Sequence, residues 1–563
     1  MKRLHLILYL LLLAILLVSC NGSKVSDEST AETTQETIDE DTIREIVLAT
    51  DNRAAYKIII PEDAPTTLSN AADMLKNKLN NKTGALFTVK DDYTRDGNAI
   101  NSTGEIIIGN CKRIDMQSEL STLTYRDYSI KATDSNILIA GHETSKVVDA
   151  VYAFMKELEN AKIEQSDAQC SFQWQGDRRN NYTSYKFENM TLGNVSLKDY
   201  SIIYPSGAYE AFYMEAALSV QSSIGRRCGF VLPIYSDAKS QQNNEILIGK
   251  TNRNESITFY ESEAAPSGME YGVAIQDQKI LIASGGLYTL SSAADMFDTQ
   301  IGSLKDGSVE TIDQEKASLI KQPIPDVQGD YRFMTYNILV EYEGWGSGGI
   351  IPAQVELRKE IVSELILRYQ PDVVGVQEVF NNWHDQLPEL IEGSYAYVCM
   401  DRADGEANRS PLIYNKNKLA VLDSGYIDIE DSLTQNRRVI TWACFENIET
   451  KEQFVVMNTH LDAHYQDKRL KQAEILANLV KRFQNEHSNM PIFALGDFNS
   501  VPNSQEYNTI LTKSDLKNAS ETSGVDHIFC TKNVAVLAQG TERNNCAQYA
   551  SDHYPVWIDV NLK

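Results

Sequence analysis

Ile492-Phe493-Ala494-Leu495-Gly496-Asp497-Phe498-Asn499 runs from four apolar residues straight into an acid and an amide two positions apart. The apolar run has the length of a buried strand, and on an extended segment Asp497 and Asn499 face the same way. A strand that ends in paired polar groups delivers chemistry to the loop-lined face of an α/β fold.

The flanking sequence alternates strand and helix in the same manner. Upstream, Leu470, Ile475, Leu476, Leu479, Val480 and Phe483 form one face of an amphipathic helix. Before it come strands at Leu412–Tyr414, Val439–Phe445 and Phe454–Asn458. Further back, Tyr331–Leu339 reads as a strand, Pro352 opens a helix with an apolar face at Val355, Val362, Leu365, Ile366 and Tyr369, and Asp372–Gln377 is a second buried strand. A last strand covers Val556–Val560. Hairpin-like pairs interrupt the alternation, so the expected fold is an α/β two-sheet sandwich rather than one doubly wound sheet.

Polar groups recur where these strands end: Asn337 in Thr335-Tyr336-Asn337, Glu378 in Val376-Gln377-Glu378, and His460 in Asn458-Thr459-His460-Leu461-Asp462. The series continues with Asp497 and Asn499, Asp526 in Val525-Asp526-His527-Ile528, and Asp552 with His553 in Ser551-Asp552-His553-Tyr554-Pro555. In this order, over one domain-sized span, the stretches resemble the signature of the endonuclease/exonuclease/phosphatase superfamily, the deoxyribonuclease-I-like fold. The resemblance implies a metal-dependent phosphoester hydrolase using Mg²⁺, with Mn²⁺ as an alternative. Glu378 would be the principal ligand, with Asn337 beside it and Asp552 completing a metal site; hard oxygen donors of this kind suit Mg²⁺. Asp497 and Asn499 would orient the attacking water and the phosphate. Asp526 would hold the imidazole of His553, the general base or phosphate stabiliser, and His460 would donate to a phosphate oxygen. Arg437 and Arg438 precede a strand and either reach a substrate phosphate or sit on a solvated edge. Asp462 either caps the next loop or lines the site, and His464 and His527 read as bystanders. Where relatives carry a glutamate that supports the first histidine, this chain has Asn408, with Glu406 two positions earlier, and either can serve.

The rest of the chain of 563 residues is too long for one core. Lys2 and Arg3 precede an apolar run, Leu4–Val18, that is too short to span a bilayer comfortably. The run ends in Leu17-Val18-Ser19-Cys20, which resembles the lipobox of bacterial lipoproteins. Residues 1–20 therefore read as a lipoprotein signal with Cys20 as the lipidated residue, and the location as the cell envelope, lipid-anchored and extracytoplasmic. A Ser/Thr/Asp/Glu-rich tether follows over 21–44. Two copies of one pattern cover 45–165 and 182–315 at an offset of about 140 residues. Lys57-Ile58-Ile59-Ile60-Pro61 answers to Ser201-Ile202-Ile203-Tyr204-Pro205, and Glu105–Gly109 answers to Glu245–Gly249. Each copy is expected to be a small α+β domain. The copies resemble non-catalytic domains of some glycoside hydrolases, which implies carbohydrate contact; a scaffold role is the alternative. Lys321–Asp326, with two prolines, marks the entry to a catalytic domain over 329–563.

Charge narrows the substrate. The chain has 52 Lys plus Arg against 78 Asp plus Glu, a net charge of −26. From Asp330 to Lys563 alone there are 21 basic and 33 acidic residues. Tight wrapping of a polyanion is disfavoured. The expected substrate is thus a small phosphorylated compound or a phospholipid headgroup. An extracellular nuclease and a catalytically silent glycan-binding surface protein are the competing readings. Setting Cys20 aside leaves seven cysteines with no CxxC pair, so a structural zinc site is not expected.

Overall fold

The computed structural model describes residues 33–95, 97–161, 163–165, 169–207, 209–314, 316–318, 323–341, 355–379, 382–391, 393–401, 409–429, 438–543 and 547–562. The expected signal segment, Cys20, Arg437, Glu406 and Asn408 lie outside them. Among the described residues no helix is long and apolar enough to cross a membrane. The chain divides into two compact units, the first up to Glu188 with Gly225–Val231, the second Asn189–Ile224 with Leu232–Lys563.

In the first unit, Lys57–Ile60, Glu105–Ile108 and Asn136–Gly141 run parallel, and Tyr128–Ala132 pairs antiparallel with the last of these. One face of this sheet packs Ile58, Ile106 and Ile108 against helices Thr66–Thr83 and Thr144–Asn160. The other packs Ile59, Ile107 and Leu138 against Met116 and Leu120 of a short helix. The isoleucine runs are continuous because both faces are covered. Residues Thr34–Asp39, read from composition as solvated tether, instead form an edge strand on Asp177–Tyr182. All six are exposed. Backbone pairing needs no apolar side chains, so composition could not reveal it.

The second unit begins with the same topology. Ser201–Tyr204, Glu245–Ile248 and Lys279–Ser284 run parallel, with Glu270–Gln276 antiparallel beside the last. The correspondence extends to buried polar groups. Glu105 binds Arg113, and Glu245 binds Arg253. Asp92 accepts the amides of Glu62 and Lys112, as Asp237 accepts those of Ser206 and Asn252.

After the Lys321–Asp326 break the chain builds two six-stranded sheets. The strands are β1 (Tyr331–Asn337), β2 (Val373–Gln377), β3 (Tyr395–Val398), β4 (Leu412–Asn415), β5 (Leu419–Asp428) and β6 (Val439–Asn447), then β7 (Gln453–His460), β8 (Ile492–Asp497), β9 (Leu516–Asn518), β10 (Asp526–Thr531), β11 (Ala535–Thr541) and β12 (Val556–Asn561). The helices are α1 (Val355–Tyr369), α2 (Asn382–Leu390), α3 (Gln466–Glu486), α4 (Gln505–Ser514) and α5 (Ala547–Ala550). Strand order is β3-β4-β2-β1-β12-β11 in one sheet and β5-β6-β7-β8-β10-β9 in the other. Alternate residues of the central strands fill the space between the sheets, among them Tyr331 and Phe333, Val456, Phe493 and Leu495, Ile528, and Ile558. The intervening residues pack outward. Met334 and Tyr336 meet α1, α2 and α5, while Met457, Ile492 and Ala494 meet α3 and α4. The region is therefore a helix–sheet–sheet–helix sandwich, as the interrupted alternation of strand and helix predicts.

Candidate active site

Strand direction brings the polar ends together. β1 and β2 are parallel, so Asn337 and Glu378 emerge at one edge of the first sheet. β7 and β8 are parallel with His460 opposite Asp497, and β10 runs antiparallel to β8 with Asp526 opposite Asp497. His460, Asp497 and Asp526 thus form a row across three neighbouring strands. β12 is antiparallel to β1, so the segment before it returns Asp552 and His553 to the same end.

The side chains form one chain of hydrogen bonds and ion-pair contacts. His553 Nδ1 lies 2.9 Å from Asp526 Oδ2, and His553 Nε2 lies 3.7 Å from Asp497 Oδ2. His460 Nε2 approaches the same Asp497 oxygen at 3.3 Å. Asn337 Nδ2 donates to Asp497 Oδ2 at 3.0 Å and to Glu378 Oε1 at 3.1 Å. Glu378 Oε2 accepts the Val340 amide at 2.6 Å. Asn337 Oδ1, the atom a metal would take, accepts the Leu339 amide at 3.0 Å and keeps a second lone pair. As placed, Asn337 bridges the two carboxylates through its nitrogen. Asn499 donates its side-chain amide to the Leu461 carbonyl, and its backbone N–H to Asp497 Oδ1.

Burial and neighbouring charge set the protonation states. Burial, reinforced by the charge of Asp526, raises the Asp497 carboxyl to about 7. Burial works against charge on His553, but hydrogen bonding and attraction from Asp526, with Asp497 and Asp552 adding, raise it to about 10. His460, fully enclosed and near the positive charge of Arg438, is held well below its ordinary range and is neutral. Against its burial, the Asp462 carboxyl is lowered by the amides of Tyr465 and His464 and then by the charges of Lys468 and Arg438.

Three residues at the site carry backbone strain. Leu339, Glu378 and Asn499 adopt left-handed conformations, with φ of 59°, 66° and 48°. Each costs on the order of 1–3 kcal/mol and persists only where surrounding contacts over-determine it.

The donor chemistry suits a hard divalent cation. Glu378 is half-buried and Asp552 exposed, and both present carboxylate oxygen. Ligand atoms of Asp497, Asp526 and His553 lie within 4.8 Å of one another. Asp526 Oδ1 is buried and accepts no hydrogen bond among the described residues.

Several supporting groups escaped the sequence reading. Arg358 on α1 is fully buried and donates to the carbonyls of Ile338, Leu339 and Ala550. Trp383 Nε1 donates to the Leu339 carbonyl at 2.8 Å. Beneath the site Gln377 Nε2 donates to Asn458 Oδ1, and Asn458 Nδ2 donates to the Val376 and Pro411 carbonyls, tying the two sheets together. A Cβ on Gly375 would lie 1.9 Å from Leu495 Cδ1. Gly496, at φ 149°, could carry no Cβ either, since one would lie 2.0 Å from the Thr459 carbonyl oxygen. The one signal was at Asn458, an amide that closes the apolar run Phe454–Met457, whereas Arg358 sits in sequence among Glu356, Lys359 and Glu360. Asp462 caps its loop by accepting the His464 and Tyr465 amides. His527 is a core residue, bonded to the Ser500 carbonyl among Phe498, Tyr507 and Phe529.

Comparisons with known proteins find likenesses confined to the C-terminal region. Nocturnin from Homo sapiens is 26% identical over 211 residues, 35% of this chain and 49% of nocturnin. Carbon catabolite repressor protein 4 homolog 3 from Arabidopsis thaliana is 23% identical over 227 residues, 39% of this chain and 47% of its own. The chain thus spans about half the length of these curated relatives. A solved endonuclease/exonuclease/phosphatase from Bacteroides vulgatus aligns with 42% of this chain and 100% of its own, at 25% identity and a TM-score of 0.37. The family model described as "Endonuclease/Exonuclease/phosphatase family" matches residues 334–553, which include all eight acid, amide and histidine residues of the site. Over residues 334–553, this chain is thus similar to the endonuclease/exonuclease/phosphatase family.

Proposed function

We propose that the C-terminal sandwich is a divalent-metal-dependent phosphoester hydrolase acting on a small phosphorylated compound or a phospholipid headgroup. The observation that carries this reading is the unbroken chain Asp526–His553–Asp497–Asn337–Glu378 at one end of the sandwich. Glu378 and Asp552 would hold Mg²⁺, or Mn²⁺ in its place, with Asn337 fixing the orientation of Glu378. The bound cation supplies Lewis-acid polarisation of a phosphoryl oxygen and neutralises developing charge.

The chain's own residues supply the proton chemistry. Asp497, raised to about 7, suits a base that takes a proton from water near neutral pH. Asn499 fixes one oxygen of that carboxylate through its backbone amide. His553, charged at neutral pH, donates to a phosphoryl oxygen rather than serving as the base, and Asp526 keeps it charged. His460 is neutral and donates a second hydrogen bond to the phosphate. Arg438 adds positive charge on the substrate side.

The acidic surplus of 329–563 supports a small substrate over polymeric DNA. We further propose that the protein is lipid-anchored through Cys20 outside the cytoplasm, with the repeats contacting carbohydrate. The test is a panel of phosphomonoesters, phosphodiesters, phospholipids and DNA, given to the chain without residues 1–20. Turnover of small esters is expected. DNA as the best substrate would overturn the substrate reading, and no turnover of anything would favour a silent binding protein.

A further inference from the structure

The second repeat meets the sandwich on the helices that hold the site. A Cβ on Gly268 would lie 2.5 Å from the Glu360 carbonyl oxygen of α1, so the two backbones are in direct contact. Met269 is fully buried in the layer built from α1, α2, α5 and the outer face of the first sheet. Glu270 pairs with Arg368 of α1 at 3.6 Å. Tyr288 stacks on Tyr549 of α5, with ring centroids 5.3 Å apart and planes at 19°.

Those same helices carry the site segments. Arg358 of α1 binds the carbonyls of Ile338 and Leu339, just after Asn337, and of Ala550, just before Ser551. Ser551 Oγ donates to the Asn337 carbonyl at 2.6 Å and accepts the His553 amide at 3.1 Å. The helix α5 is a single turn of four residues. A turn that short has no stability of its own, so tertiary contacts alone set its place. Ala547 and Ala550 face the core, and the ring of Tyr549 rests on Tyr288.

We propose that the second repeat is a working part of the catalytic module, and that Tyr288 is a positioning residue that fixes the 547–553 segment and with it His553. The inference rests on the hydrolase reading above for its kinetic consequence, but not for its structural one. Displacement of a reacting group by about 1 Å can cost about 10²-fold in rate. Stacked rings at this spacing fix both position and tilt, whereas an aliphatic side chain fixes neither.

The experiment compares wild type, Tyr288→Leu and Tyr288→Phe in the chain without residues 1–20. Tyr288→Leu is expected to lower kcat about 10-fold or more with KM within about 2-fold. Hydrogen exchange should quicken at the amides of 549–553 and stay unchanged in β7 and β8. Tyr288→Phe keeps the stack and should restore both readouts. Unchanged kcat and exchange in Tyr288→Leu would overturn the proposal. So would exchange that rises throughout the unit, because the tyrosine would then serve general stability only. If wild type hydrolyses nothing, the hydrolase reading fails, while the exchange data still decide whether the repeat fixes the His553 segment.

Discussion

Replacing Asp526 by Asn tests how the site keeps His553 charged. The substitution keeps an oxygen that can accept from Nδ1 at the present 2.9 Å but removes the negative charge. That carboxylate is the main reason His553 titrates at about 10 rather than near 6.5. At pH 8 a group at about 10 is about 99% protonated, whereas one near 6.5 is about 3% protonated, a roughly 30-fold loss of the charged form. At pH 6 both are mostly charged and the loss is within about 2-fold. The kcat/KM of Asp526→Asn on a chromogenic phosphodiester should therefore fall about 30-fold at pH 8 and recover towards wild type at pH 6. His553→Ala should fall by about 10²–10⁴ at both pH values, and adding Asp526→Asn should make it little worse. Stability follows the same sign. A histidine raised above its unfolded value stabilises fully below about 6.5 and loses that contribution as pH rises through about 10, so the melting gap between wild type and Asp526→Asn should narrow over that window. An equal activity deficit at pH 6 and pH 8, or losses that multiply in the double mutant, would refute the reasoning. Asp526 would then act independently of the His553 charge.

Other consequences are open to simple checks. Glu378→Gln removes an anionic donor and should raise the Mg²⁺ concentration needed for half-maximal activity at least 10-fold, measured by metal titration; an unchanged requirement would place the ligand elsewhere. Gly375→Ala forces a Cβ to within 1.9 Å of Leu495 Cδ1 and 2.6 Å of Asn458 Oδ1, and should destabilise by about 1–3 kcal/mol in urea unfolding; a cost below about 0.5 kcal/mol would show that the sheets separate there easily. Labelled palmitate should enter the wild type and not Cys20→Ala, and equal labelling would end the lipid-anchor reading.

The fold and the site differ in how far residues alone disclose them. Strand ends were legible because a short apolar run that stops at an acid or amide, as at Leu495-Gly496-Asp497, states both burial and exit. The sandwich was legible because hairpin pairs such as β6–β7 break the β–α alternation. Contacts between distant segments were not. Asn337 reads as a ligand from its type, yet its partners Glu378 and Asp497 lie 41 and 160 positions away and take its nitrogen. The charge of His553 depends on a carboxylate 27 positions upstream. Arg358 sits in a helix beside Glu356, Lys359 and Glu360, and no periodicity says that its guanidinium joins three carbonyls. The prolines at 323 and 325 mark a break in the chain but not in the packing, since Met269 is buried with Val362 and Leu365 beyond it. Exposed Thr34–Asp39 shows the converse, in which a polar segment is ordered chiefly by backbone pairing, with the Glu36–Arg178 contact beside it.

The most direct test of the account is chelation of the wild-type chain. The same preparation is assayed on a small phosphoester as purified, after EDTA and dialysis, and after return of Mg²⁺ or Mn²⁺. Activity should fall to background in chelator and return with either cation, with circular dichroism unchanged throughout. Full activity in EDTA, with the fold intact, would contradict the central claim that hydrolysis at Glu378, Asp497 and His553 depends on a bound divalent metal.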